Sequence, residues 1–226
     1  MRTGIFIFIL IASCLTSCSD LENDVRDSED LYLDYQVSGN EDNDLLTVLL
    51  QFHRGSQHGS TVLLDEPSRV ELDGDIVMAD STVITGPFYE VQRPLSDFAG
   101  SHQIVFTASS GKEYREEFVF QPVSLHTALP DTIRRGELVL ELGGLKKGDR
   151  VRILMTDTSF TGEGINRMDT PVNGQLLIPR QELNALLSGP VNLEIIKETE
   201  TRIKKAPAGG RLFVSYGLKR EFFLAD

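Results

Sequence analysis

Tryptophan does not occur among the 226 residues, and the only cysteines, Cys14 and Cys18, lie within the first eighteen positions. Beyond Cys18 no thiol remains, so the body of the chain has neither a disulfide framework nor a cysteine nucleophile. Positive charge is scarce: 22 Lys and Arg stand against 34 Asp and Glu, a formal net charge of −12. Such an acidic chain is a poor match for a phosphate backbone, which excludes nucleic acid as a partner. No apolar run approaches the roughly 20 residues that a membrane-crossing helix requires. A sustained helical period of hydrophobic residues is also missing, which argues against alternating strands and helices. There is no Gly-x-Ser-x-Gly, no phosphate-cradling glycine loop and no evident carboxylate pair. Catalysis needs a positioned nucleophile, base or metal, so no catalytic residue is assigned and an enzyme is not expected.

What is present begins with a leader. Arg2 precedes the apolar run Ile5–Ala12, and small residues follow up to Cys18. This is the three-part layout of a secretory signal. Leu15-Thr16-Ser17-Cys18 then resembles the lipobox of bacterial lipoproteins, in which the cysteine becomes a lipidated N-terminus. Ile11-Ala12-Ser13-Cys14 fits the same order, and Cys18 is preferred because it leaves the longer apolar region before the cut. The resemblance implies a signal peptide over residues 1–17 and anchorage through lipid at Cys18. Two or more acyl chains hold a protein firmly, at about 0.8 kcal/mol per buried CH₂.

The next segment, residues 18–30, is acidic, polar and aperiodic, as expected of a solvated tether. Its twelve residues after Cys18 reach at most about 40 Å at about 3.3 Å each. An acidic patch behind a lipidated cysteine is also similar to the surface-export signal of Bacteroidota lipoproteins, and an ordinary spacer would look the same.

From Leu31 the pattern becomes short apolar runs of period two. Leu31–Val37 alternates, and Leu45–Phe52 is dense enough for a central strand buried on both faces. Thr61–Leu64, Arg69–Leu72, Ile76–Met78, Thr82–Ile84 and the edge candidate Phe88–Val91 follow, then a hairpin of His102–Ala108 and Tyr114–Phe120. Turn signals every 8 to 12 residues are those of an antiparallel sandwich. Residues 31–125 are therefore expected to form a first β-sandwich domain, 126–135 a linker marked by Pro130, and 136–226 a second β-sandwich. In the second, Glu137–Leu142, Arg150–Thr156, Gln175–Ile178, Val191–Ile196, Arg211–Tyr216 and Lys219–Leu224 read as strands. Asp157–Asn173 reads as irregular, and Pro179–Leu187 as one short helix. The fold class is all-β: two antiparallel immunoglobulin-like β-sandwiches behind a signal peptide and an acidic tether. Together these features resemble the tandem immunoglobulin-like domains of small Bacteroidota envelope lipoproteins, on pattern and without a diagnostic motif. The resemblance implies the outer membrane, at its periplasmic or outer face, and carries over no catalytic residue.

Candidate sites are few. Arg202, Lys204 and Lys205 form a cationic hairpin that could meet an acidic partner or a polyanionic glycan, or could simply be solvated. Phe160 and Met168 in the long loop are a contact patch if exposed together and core if buried. Asp131-Thr132-Ile133 and Asp80-Ser81-Thr82 resemble the O-glycosylation sequence of exported Bacteroidota proteins, marking Thr132 and Ser81. His53 and His58 flank a glycine loop, but a metal needs about four ligands, and no cofactor or metal is expected. Asn40, Asp42 and Asp44 alternate as in a calcium loop, yet Leu45 stands where its glycine belongs and Gln51 where its glutamate does. The expected function is a lipid-anchored, non-catalytic binding or structural protein of the envelope, with an envelope protein or a glycan as partner. The alternatives are a glycan-binding accessory lipoprotein of a surface uptake system, weakened by the missing tryptophan, and a pilin-like adhesion subunit.

Overall fold

The computed structural model describes residues 30–158 and 164–226. Cys14, Cys18, the tether before Asp30 and Phe160 lie outside the described residues. Alternation builds the first strand, β1 (Leu31–Asn40): Leu31, Leu33, Tyr35 and Val37 are buried on one face. It is followed by β2 (Leu45–Arg54), β3 (Arg69–Leu72), β4 (Asp75–Ile76), β5 (Ala79–Thr82), β6 (Gly86–Pro94), β7 (Gly100–Thr107) and β8 (Glu113–Phe120). The remainder is β9 (Ser124–Leu125), β10 (Thr132–Arg134), β11 (Leu138–Gly143), β12 (Val151–Asp157), β13 (Ile165–Asp169), β14 (Gln175–Ile178), α1 (Arg180–Ala185), β15 (Gly189–Arg202) and β16 (Gly210–Ala225). The chain is thus all-β with sandwich-like sheets, as its pattern implies.

A nine-stranded sheet runs β13-β12-β15-β16-β1-β2-β6-β5, with β10 also on β16. Two small sheets, β4-β3-β7-β8 and β14-β11-β9, complete the described strands. At the front, Phe52 of β2 reaches Phe106 of β7 at 4.9 Å between ring centroids and meets Tyr89 and Tyr35 edge-on. Such contacts between rings of different sheets pin one layer on the other. At the back, Leu140, Leu176 and Ile178 are buried with Val151, Ile153, Met155, Leu193 and Ile195 in the same apolar cluster.

The hairpin β15–β16 belongs to both bodies. Its lower half, Gly189–Ile196 against Gly217–Leu224, pairs with β12 and β10. Its upper half, Lys197–Arg202 against Arg211–Tyr216, carries β1. The β1–β16 pairing is parallel, Leu33 opposite Gly210 through Asn40 opposite Gly217. The two strands meet so closely that a Cβ on Gly210 would lie 2.5 Å from the Leu33 carbonyl oxygen. Across the same pair Arg211 donates two hydrogen bonds to the Asp34 carboxylate, at 2.9 and 3.0 Å.

The expected division of the chain is therefore a division of sequence and not of sheets. Residues 197–216, placed by the sequence in the second unit, complete the first body's sheet. The segment 126–135 is also structural. Thr132–Arg134 pairs with β16, and Ile133 is buried. Arg135 donates to the Leu183 and Leu186 carbonyl oxygens at the end of α1, satisfying acceptors that a helix terminus leaves open. Smaller differences concern single strands. Thr61 makes only an isolated bridge to His53. Val83 and Ile84 form the tip of the β5–β6 hairpin, not a strand. Ile165–Asp169, read as irregular, pairs with β12. β2 is central, but only one of its faces is fully buried. β6 is an edge only in part: β5 pairs with Gly86–Tyr89, and past Tyr89 its outer side has no partner strand among the described residues.

Candidate functional site

On the inner face of the shared hairpin, the side chains change character midway. Val191, Leu193 and Ile195 of β15 are buried in the rear core; Lys197, Thr199 and Thr201, next on the same face, are not. Opposite them on β16 stand Tyr216, Val214 and Leu212. This stretch floors a groove of about 300 Å³. One wall is β8 and its extension, Glu117–Gln121; the turn carrying Lys146 and Asp149 closes the rear end. A cleft of that size is at the small end of ligand sites and combines a few polar groups with apolar walls.

The rear end is electrostatically set. Lys197 Nζ lies 2.8 Å from Asp149 Oδ2 and donates to the Gly144 carbonyl at 3.2 Å. Burial opposes ionisation of Asp149. The Lys146 amide and the Lys197 ammonium outweigh it and hold this carboxyl below the ordinary range. The Tyr216 phenol is pushed up by burial and by the Glu41 carboxylate; its ring stands edge-on to Phe120 at 6.0 Å. Toward the front, burial raises the Glu116 carboxyl against the lowering influence of Lys205.

The residues singled out from sequence fall elsewhere. Arg202, Lys204 and Lys205 are exposed, but Ile203 and Ala206 between and beside them are buried. The hairpin end is thereby docked on the first body and does not project freely. The Ala208 amide donates to Leu31 and the Leu33 amide to Gly209. Ser81 on β5 and Thr132 on β10 both present exposed side chains. Met168 is half-buried on β13. His53 is buried with Nδ1 3.1 Å from the Gly59 carbonyl, while His58 is exposed. Asp42 and Asp44 are exposed in the β1–β2 turn. Among the described residues no group of three His, Cys, Asp or Glu side chains converges as for a metal, and no helix is long and apolar enough to cross a membrane.

Two histidine pairings that the sequence did not reveal are visible. His102 stacks on Phe98 at 3.7 Å, with Nδ1 2.7 Å from Asp73 Oδ2 and Nε2 2.8 Å from the Phe98 carbonyl. Each ring nitrogen lies within hydrogen-bond distance of an oxygen, so the ring ties the β3–β4 turn to β7. His126 Nε2 lies 3.0 Å from Ser124 Oγ on the surface. No carboxylate hydrogen bond orients that ring among the described residues, and a serine–histidine pair without one lacks the third member of an activated nucleophile. The groove residues carry no local signal of their own, because they converge from positions up to about 100 apart.

The sequence matches no protein-family model and no curated protein. The structure is similar to the crystal structure of DIP-gamma IG1+IG2, with 9% identity and a TM-score of 0.23 over 83% of this chain and 94% of that one. It is also similar to a bacterial 1.5-MDa ice-binding adhesin, with 14% identity and a TM-score of 0.26 over 86% of this chain and 65% of that one. A third is SGBP-B of the Bacteroides ovatus mixed-linkage glucan utilization locus, solved with a mixed-linkage heptasaccharide. It shows 11% identity and a TM-score of 0.23 over 84% of this chain and 43% of that one.

Proposed function

We propose that the protein is a lipid-anchored, non-catalytic binding protein of the bacterial outer membrane, tethered through Cys18 and offering the hairpin groove to an envelope protein or glycan. The observation that carries the binding half is the groove itself. The nine-stranded sheet exchanges core side chains for Lys197, Thr199 and Thr201 where two bodies leave a cleft. The anchor rests on the leader and lipobox-like residues of the sequence.

The two halves are tested separately. Intact mass of the membrane-extracted protein should show a chain beginning at Cys18 with acyl adducts, and Cys18→Ser should release it from the membrane fraction. A product retaining residues 1–17 and no adduct overturns the anchor. Thr199→Trp, which fills the groove from an exposed floor position, should abolish partner capture while circular dichroism stays unchanged. Undiminished capture overturns the groove as the binding site.

One observation favours the pilin-like reading. β1, the described strand nearest the N-terminus, lies inside the sheet between β2 and β16, so its removal would open a slot one strand wide. Ladders on an unboiled gel after proteolysis ahead of Glu41 support that reading; a monomer throughout excludes it.

A further inference from the structure

Resting on the groove as the binding site, we propose that its occupant is an extended peptide that adds as a strand to the outer edge of β8. Successive side chains of a strand point to opposite faces. A surface lined by one face meets every second residue. The groove takes five consecutive positions of β8 and its extension, Glu117 to Gln121, against three of the central strand β16, Val214 to Tyr216, and β8 is an end strand, so the groove runs along its backbone edge. β8 ends the order β4-β3-β7-β8, and among the described residues no backbone hydrogen bond reaches its other edge. An open edge is a template for another strand, and folded proteins usually blunt it with charge. Here charge guards only the first half of β8, where Arg115 pairs with Glu113. Past Glu117 the edge carries no charge, and Val119 is 49% exposed.

The floor specifies the occupant further. Thr199, Thr201 and Val214 suit threonine or aliphatic side chains at every second position of an added strand. Phe118, Phe120 and Tyr216 are buried, so among the described residues the groove offers no flat aromatic platform to a sugar ring. The rear end carries positive charge, from Lys146 beside the self-neutralising Lys197–Asp149 pair. At the front Glu117 turns its carboxylate to Gln103 of β7, at 3.4 Å. The fitting segment is about five residues long, about 16 Å at about 3.3 Å per residue. It carries a carboxylate at the end that meets Lys146.

The test selects a phage-displayed library of linear seven-residue peptides on the purified mature chain, with the Thr199→Trp chain as counter-selection. Selected peptides are then synthesised with N-methyl groups on odd or on even residues. A strand offers its N–H groups to its host on alternate residues, so one pattern should lower affinity at least about tenfold and the other less than about twofold, given the contribution of a few hydrogen bonds. Equal effects of the two patterns overturn strand addition and leave the groove as a side-chain site. No enrichment on the native chain over Thr199→Trp overturns the peptide occupant. In that case a glycan array distinguishes the two claims. A glycan bound by the native chain and not by Thr199→Trp keeps the groove, and its absence removes both.

Discussion

Replacing Asp34 by alanine removes the carboxylate through which β1 holds the shared hairpin. Asp34 is 4% exposed, and both of its oxygens accept from Arg211, 177 positions away. Truncating one member of a fully buried ion pair costs about 3–5 kcal/mol, chiefly because the other charge is left unpaired. The Arg211 side chain keeps 26% of its surface exposed and has Glu200 at 3.7 Å, so part of that loss is made up by water and by the second carboxylate. The expected cost is then about 2–3 kcal/mol. For a chain of this size it corresponds to a fall in Tm of about 4–12 °C. Urea unfolding of the mature chain, followed by circular dichroism, measures it directly, with the slope unchanged. Arg211→Ala and the double variant complete a cycle whose coupling should exceed about 1 kcal/mol. A loss below about 0.5 kcal/mol, or a cycle without coupling, would show that the pair behaves as an exposed one and that β1 is not fastened here. A biphasic curve in which only one phase moves would show that the hairpin does not join the bodies.

Other residues make separate tests. The Tyr35 hydroxyl is buried with no hydrogen-bond partner among the described residues, and burial pushes its phenol far above the ordinary range. A hydroxyl buried in that way costs about 1–3 kcal/mol, so Tyr35→Phe should leave stability unchanged or raise it by about 1 kcal/mol in urea titration; a loss above about 1 kcal/mol contradicts the orphaned hydroxyl. Glu116 has its carboxyl raised by burial, so the folded state favours its protonated form. Its contribution is complete below the ordinary carboxylate range and is lost as pH rises through the raised value. Glu116→Gln should therefore raise Tm at neutral pH and not at pH 3, and an equal shift at both refutes that assignment.

Much of the front body was legible because its strands bury one face. Leu31–Val37 announced itself through period-two alternation, Leu45–Phe52 through its density of apolar residues and the β7–β8 hairpin through two apolar runs about a turn, and Pro179 and Gly189 bracket the short helix. The hairpin that joins the bodies was not legible, for the same reason that it makes a site. Where the floor turns polar, at Lys197, Thr199 and Thr201, alternation lapses and the strand reads as loop. Val83 and Ile84 mislead in the opposite direction: β-branched residues favour strands, yet here they are fully exposed at a turn. β13 carries Arg167 and Asp169, whose charges suit an edge and hide a strand from a hydrophobic reading. The parallel register of β1 on β16 has no local signature, since the partners lie at opposite ends of the described chain.

The account turns on residues 197–216 completing the sheet of the front body and flooring its groove. Expression of residues 31–125 alone tests that most directly. Without β16, the strand β1 loses its parallel partner, and Tyr35 and Phe120 lose the cover of Leu212 and Tyr216. The fragment should show no cooperative thermal transition and poor amide dispersion by NMR, and adding residues 189–226 in the same chain should restore both. A fragment 31–125 that unfolds cooperatively by itself would contradict the shared hairpin and the groove built on it.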